Sequence, residues 1–123
     1  MGQTHPYKRI ALVVEDDALQ RETIVTLLEE SEMDVIQCES GEAAEMVLEH
    51  VGDCLTTLLT DVSLAGAMDG IELAQIAHER FPTLRIVVIS ANPRVSRLPD
   101  GTKFVAKPWS PLELLRQTHP WLH

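Results

Sequence analysis

Acidic residues follow directly on apolar runs at two places in this chain, and a lysine follows a third. Glu15-Asp16-Asp17 comes after IALVV, Asp61 after a run ending in LLT, and Lys107 after KFVA, while Ser90 ends the run RIVVI. If these runs are parallel strands of one open α/β sheet, their carboxyl ends share a rim, which is where such sheets bind ligands. Glu15, Asp16 and Asp61 brought within several ångströms would repel one another, and such a cluster takes up a proton or binds a cation. Magnesium fits best, being a hard ion that takes one or two protein carboxylates and leaves positions for water and phosphate oxygens. No Cys or His sits among these four strand ends, which speaks against zinc. Lys107 offers a compact positive charge suited to a phosphoryl group, and the Ser90 hydroxyl can donate to another of its oxygens. The set describes phosphoryl transfer. A carboxylate can itself be the nucleophile, forming an acyl phosphate while metal and lysine offset the charge. Asp61, alone at its strand end, is the natural candidate.

The elements needed to position these residues are legible in the pattern. Residues 8–14, 35–38, 55–60, 85–89 and 103–106 are short β-branched and aliphatic stretches of the kind that form strands buried on both faces. Between them, apolar residues recur at helical spacing. Leu19, Ile24, Leu27 and Leu28 mark a first helix capped by Asp17, and Ala43, Ala44, Val47 and Leu48 a second, opened by Ser40-Gly41 and ended by Gly52. Ile71, Leu73, Ala74, Ile76 and Ala77 mark a third, after a turn at Asp69-Gly70, and Pro111 opens a last one with Leu112, Leu114 and Leu115. Pro93, Pro99 and Gly101 leave room only for a short or irregular helix between residues 92 and 102. Strands alternating with helices predict a doubly wound α/β domain: a five-stranded parallel sheet with right-handed crossovers and helices on both faces.

A length of 123 residues, 45% of them hydrophobic, suits one compact domain. Residues 1–7 read as a loose tail and 8–123 as a single domain. The longest apolar run, Ile10 to Val14, falls far short of the roughly 18 residues a membrane span needs, and no leader pattern precedes it, so a cytoplasmic protein is expected. Cys38 and Cys54 read as reduced, buried thiols. The net charge of −9 disfavours nucleic acid and anionic lipid, but the charge is lopsided. Residues 15–53 hold thirteen acids and only Arg21, whereas residues 80–107 hold Arg80, Arg85, Arg94, Arg97, Lys103 and Lys107 against Asp100. That basic stretch is either a solvated face or a surface for an acidic partner, and it lacks the interleaved aromatics expected of a nucleic-acid site.

ALVVEDD, LLTDVSLAGAMDG, VVISA and FVAKP, in this order, resemble the receiver domain of two-component response regulators, from Lys8 to Leu115. The resemblance implies a flavodoxin-like strand order of 2-1-3-4-5. It also implies that Asp61 accepts a phosphoryl group from a phosphohistidine on a histidine kinase or phosphotransfer protein, and that slow hydrolysis follows. Asp16 and Asp61 would ligate Mg2+ directly, Glu15 through a water, and the Ser63 carbonyl would complete the protein ligands. Ser90 and Lys107 would hold phosphoryl oxygens, and the Phe104 ring would turn inward as Ser90 moves. The side chains of Ser63 and Asn92 match positions that tune the lifetime of the phosphoryl group. A cis Lys107–Pro108 bond is expected from relatives. Signalling would run through a downstream protein target, with no membrane or nucleic-acid partner.

Three features depart from the family pattern. Ala65 stands where relatives commonly have proline, in a loop one residue longer before Gly70. The stretch from Ser90 to Lys107 is about five residues short, which removes most of the fourth helix. Glu15 replaces the commoner Asp. Two rival readings use the same residues. A degenerate receiver would act only as a binding module, and a magnesium-dependent aspartyl phosphatase would need a second acid two residues after its nucleophile, where this chain has Ser63. Taken alone, the acids after the first strand could simply cap a helix, Phe104 could be static core, and Trp109 and Trp121 could pack on the last helix.

Overall fold

The computed structural model describes residues 9–119. Five strands, β1 (Ile10–Val14), β2 (Asp34–Cys38), β3 (Thr57–Asp61), β4 (Arg85–Ser90) and β5 (Lys103–Ala106), alternate with helices α1 (Ala18–Glu30), α2 (Gly41–Val51), α3 (Gly70–Arg80) and α4 (Pro111–Thr118). The sheet is parallel throughout, in the order β2-β1-β3-β4-β5. The order steps from β1 outward in both directions, so the crevice beyond the carboxyl ends of β1 and β3 is the switch point of the fold.

Burial on both faces explains the unbroken apolar strands. One face packs Leu12, Val14, Leu58, Ile86 and Val88 against Ala44 and Leu48 of α2 and Leu73, Ala74 and Ala77 of α3. The other packs Ala11, Val13, Leu59, Val87, Ile89 and Val105 against Ile24, Val25 and Leu28 of α1 and Leu114 of α4. Successive strand residues thus feed opposite cores, as the period-two geometry requires.

Each helix starts where a side-chain oxygen can satisfy its first amides. Asp17, Ser40 and Ser110 accept from Gln20 N (2.9 Å), Ala43 N (3.1 Å) and Glu113 N (3.2 Å), and Asp69 forms a reciprocal capping box with Glu72. Gly52 does not end the second helix with a reversal. Its backbone stays right-handed and leads into a 3-10 turn, Gly52–Cys54, so β3 begins at Thr57 rather than at residue 55. Cys54 lies in that turn and is exposed, contrary to the expectation of two buried thiols; only Cys38, the last residue of β2, is buried.

No helix forms between β4 and β5, where Pro93 and Pro99 each remove a backbone donor. The segment is held by other means: Gln75 Nε2 of α3 donates to Arg97 O at 2.8 Å, and Leu98 packs against the α2/α3 side of the core. The basic stretch is partly consumed by the fold. Arg80, though exposed, pairs with Glu45 at 3.4 Å, and Arg85 donates to the Gln117 carbonyl, while Arg94, Arg97 and Lys103 are exposed as well. Trp109 is half-buried against the α1/α4 core, and Trp121 lies outside the described residues. Among the described residues no helix is long and apolar enough to cross a membrane.

Leu114 is the only fully buried apolar anchor of the short helix α4. Leu114→Ala is expected to cost about 2–5 kcal/mol, measured as a shift in the urea unfolding midpoint.

Candidate functional site

At the carboxyl end of β1 the acids of the trio take different roles. Glu15 continues the sheet ladder, donating its amide to Cys38 O at 3.1 Å, and its side chain is only 2% exposed. Asp17 turns outward to cap α1, and its amide donates to Glu15 Oε2 at 3.1 Å. Asp16, between them, is exposed, yet its carboxyl lies within hydrogen-bonding reach of that of Glu15. The helix-capping reading therefore holds for Asp17 and not for Glu15.

Asp61, the last residue of β3, is 5% exposed and sits beside Glu15. Its Oδ1 accepts from Ser63 N at 3.0 Å, and its Oδ2 forms an ion pair with Lys107 Nζ. The same ammonium lies 3.7 Å from Glu15 Oε1 and donates to Gln20 Oε1 of α1 at 2.9 Å. Lys107 reaches the carboxylates because its amide extends the β4–β5 ladder, donating to Ser90 O at 3.0 Å, and its peptide bond to Pro108 is cis.

Ser90 is buried at the end of β4, and its Oγ accepts from Asn92 N at 2.9 Å; Asn92 Oδ1 in turn accepts from Arg94 N at 2.9 Å. Ser63 and Asn92 are exposed at the rim. Phe104 stands beside Val88 in the register of β4 and β5, half-buried. The strand ends thus bring Glu15, Asp61, Ser90 and Lys107 to one edge, with Asp16, Ser63 and Asn92 around it and Phe104 one step down β5.

Gln20 and Arg21 did not stand out in the sequence. Arg21 Nη1 donates to the Glu15 carbonyl at 2.8 Å and so braces the end of β1 from outside, while Gln20 steadies the lysine. Arg21 is set apart in the sequence only as the single Lys or Arg among the acids of residues 15–53, and Gln20 by nothing. Gly70 read only as part of a turn, but its role is steric. A Cβ there would collide with the Asp61 carbonyl oxygen and lie 2.9 Å from the Val62 Cα, while its amide donates to Val62 O at 2.9 Å. Only glycine lets α3 start this close to the end of β3.

Burial and the neighbouring carboxyl decide the electrostatics. The pKa of Glu15 is pushed from 4.5 to about 7, first by loss of solvent and then by the hydrogen bond and charge of Asp61, against the opposing amide of Asp17. Burial alone would depress Lys107, but the hydrogen bond and charge of Asp61, helped by Glu15, outweigh it and raise the ammonium. Two crowded carboxyls therefore share one ammonium, and the more buried of them is held near neutrality.

That donor set fits a hard divalent ion. Among the described residues no three His, Cys, Asp or Glu side chains already converge as a complete ligand group. Magnesium does not need one, because two carboxylates with waters and a backbone carbonyl suffice. A cation beside Glu15 and Asp61 would offset both the loss of solvent and the crowding of the two carboxyls that together raise the pKa of Glu15.

In the metal-free protein, Glu15 binds its proton more tightly when folded than when unfolded, so its contribution to stability is full below pH 4.5 and is lost as pH rises through about 7. Urea unfolding in chelator at a series of pH values should show stability falling across that window, and Glu15→Gln should flatten the slope. Gly70→Ala is expected to destabilise by about 1–3 kcal/mol or more, since backbone rather than a flexible side chain must yield. Thermal unfolding measures the loss, and amide chemical shifts at Asp61 and Val62 should move with it.

Comparison with known proteins accords with this geometry. Residues 11–119 match the response regulator receiver domain family. The chain is 33% identical over 120 residues to the response regulator receiver protein CpdR of Brucella abortus, covering 94% of this chain and 97% of that one. It is 31% identical to the transcriptional regulatory protein AruR of Pseudomonas aeruginosa, but spans only 45% of it. Among solved structures, a receiver protein from Sinorhizobium medicae superposes with a TM-score of 0.84 at 24% identity, covering 94% of each chain. The receiver domain of the hybrid histidine kinase CckA superposes at 0.79 with 25% identity, covering 93% of this chain and 99% of that one. With its parallel sheet in the order β2-β1-β3-β4-β5 and four flanking helices, this chain belongs to the receiver domain family of two-component signalling.

Proposed function

We propose that this chain is a phosphorylation-controlled switch that accepts a phosphoryl group on Asp61 and signals by binding another protein. The observation that carries the reading is the ion pair between Lys107 and Asp61 at the sheet rim, with the Glu15 carboxyl pressed against both. A carboxylate held this way is oriented and partly neutralised, so a phosphate-bearing donor can approach it. The donor would be a phosphohistidine on a histidine kinase or phosphotransfer protein, and the site of action the cytoplasm.

In the transfer, an Asp61 carboxylate oxygen attacks phosphorus and forms the acyl phosphate bond. The bond from phosphorus to the donor's imidazole nitrogen breaks, and that nitrogen keeps the electron pair. The Ser63 amide, bonded to Oδ1 at 3.0 Å, fixes the carboxylate plane for this attack. Lys107 then exchanges its carboxylate partner for a phosphoryl oxygen, keeping one charge-assisted contact throughout. Ser90 accepts from Asn92 N, which uses a lone pair and leaves its proton to donate to a second oxygen. Asp16, Asp61, the Ser63 carbonyl and, through water, Glu15 would hold Mg2+, which supplies charge neutralisation to the transferring group. Movement of Ser90 toward the phosphoryl group would open the space into which the Phe104 ring turns, and Ser63 and Asn92, exposed at the rim, would set how readily water reaches the acyl phosphate. Water attack on phosphorus restores the Asp61 carboxylate and releases inorganic phosphate.

A related CheY has been solved as a CheX–CheY complex with BeF3 and Mg2+ from Borrelia burgdorferi, at 19% identity and a TM-score of 0.82, which shows that this fold accommodates a metal and a phosphoryl mimic in a relative.

A small phosphoryl donor with Mg2+ is expected to add one phosphoryl group, read by intact mass, and Asp61→Asn should abolish the addition. Lys107→Ala should still bind Mg2+ yet lose most of the response to phosphorylation. Modification that persists in Asp61→Asn would place the acceptor elsewhere, and no modification of the wild type would favour the inert binding module.

A further inference from the structure

The connection from β3 to α3, residues 62–69, carries the Ser63 amide that orients Asp61. It has no proline to stiffen it, and Gly66 adopts a left-handed φ of 98°. It is nevertheless held in the middle from outside. Glu42, in the first turn of α2, accepts through one oxygen, Oε2, from the amides of Ala67 at 2.9 Å and Met68 at 3.2 Å. A Cβ on Gly66 would come 3.0 Å from Glu42 Oε1, so glycine allows the close approach as well as the φ. Beside it, a Cβ on Gly41 would stand 3.0 Å from the Met68 side chain, which shows how closely α2 is seated on the loop.

Resting on the phosphoacceptor reading above, we infer that Glu42 is a positioning residue for the Asp61 site: its carboxylate pins the β3–α3 connection in the shape that keeps Ser63 against Asp61. The remaining backbone hydrogen bonds are at the two ends, and Leu64 and Met68 pack against the α2/α3 side of the core. Ser63 N bonds Asp61 Oδ1 at 3.0 Å, and Gly70 N bonds Val62 O at 2.9 Å behind the capping box. Without Glu42 the intervening residues would regain backbone freedom, opposed only by the Ser63 contact and the packing of Leu64 and Met68 on the core. Glu42 is exposed and its carboxylate bonds the loop amides rather than Asp61 or Lys107, so its effect on the site runs through the loop backbone. Its carboxyl is held below the ordinary value by its own amide and by those of Ala67 and Met68, as expected for an ionised acceptor of several N–H groups. The contact crosses two elements far apart in the chain and substitutes for the rigidity a proline would give the loop.

The test compares wild type, Glu42→Ala and Glu42→Gln in the full chain. Three quantities are read: amide hydrogen exchange at Ala67 and Met68 without metal, Mg2+ affinity by titration, and the rate of phosphorylation by a small phosphoryl donor. Glu42→Ala should speed exchange at both amides and weaken Mg2+ binding and phosphorylation by about tenfold, the scale of a lost charge-assisted hydrogen bond, with the unfolding midpoint nearly unchanged. Glu42→Gln keeps an oxygen acceptor and should recover most of each. Amides that stay protected in Glu42→Ala, or wild-type Mg2+ affinity once protection is lost, would overturn the positioning role. If wild type itself takes no phosphoryl group, the phosphoacceptor reading fails, while exchange and Mg2+ affinity still decide the role of Glu42.

Discussion

The physical constraint on which this structure depends is the confinement of two carboxyl groups and one ammonium at the rim of a parallel sheet. Glu15 and Asp61 are each almost completely removed from water, and Lys107 is their shared counter-ion. Such a cluster is costly to assemble, because each group loses hydration and the two acids oppose each other. It persists because backbone geometry places every member. Glu15 and Asp61 end adjacent strands, and Lys107 leaves β5 through a ladder bond to β4. The pKa of Glu15 is pushed up to about 7, first by its burial and then by the Asp61 carboxyl beside it.

The rest of the fold supplies rigidity where the cluster needs it. Helices on both faces bury the central strands completely, so β1, β3 and β4 cannot slide relative to one another without turning a core residue toward solvent. At the rim, Gly70 lets α3 begin against the Asp61 carbonyl, and Arg21 and Gln20 of α1 brace Glu15 and Lys107 from the other side. The edge beyond β4 is built differently. With the helix between β4 and β5 missing, an irregular segment tied down by Gln75 and Leu98 forms that surface and presents Arg94, Arg97 and Lys103 to solvent. A receiver domain that signals through this region would offer a partner backbone and guanidinium groups rather than a helical face.

Legibility followed the physics of each signal. Apolar runs, capping residues and prolines act locally, so strands and helix starts were readable without coordinates, and the prolines between β4 and β5 allowed at most a short or irregular helix where the structure has none. Strand ends carry their functional side chains with them, which is why Glu15, Asp61, Ser90 and Lys107 could be named together. The misplacements have local causes too. Gly52 does cap the second helix, but its right-handed backbone carries the chain on into a 3-10 turn that the sequence did not announce, so β3 starts at Thr57 and Cys54 is exposed. The basic stretch read as either a solvated face or a partner surface, yet Arg80 and Arg85 bond groups inside the same molecule.

What the amino-acid sequence determined by itself was the alternation of buried strands with amphipathic helices and the identity of the residues that finish each strand, because both depend on side-chain chemistry at fixed spacing. Tertiary structure alone decided which acid of the trio is buried, that the lysine bridges two carboxyls, that Gly70 is a steric necessity, and that Gln20, Arg21 and Glu42 serve the rim from two helices. Those facts depend on distances between segments remote in the chain, and a polar residue on a helix carries no mark of which remote backbone it will meet.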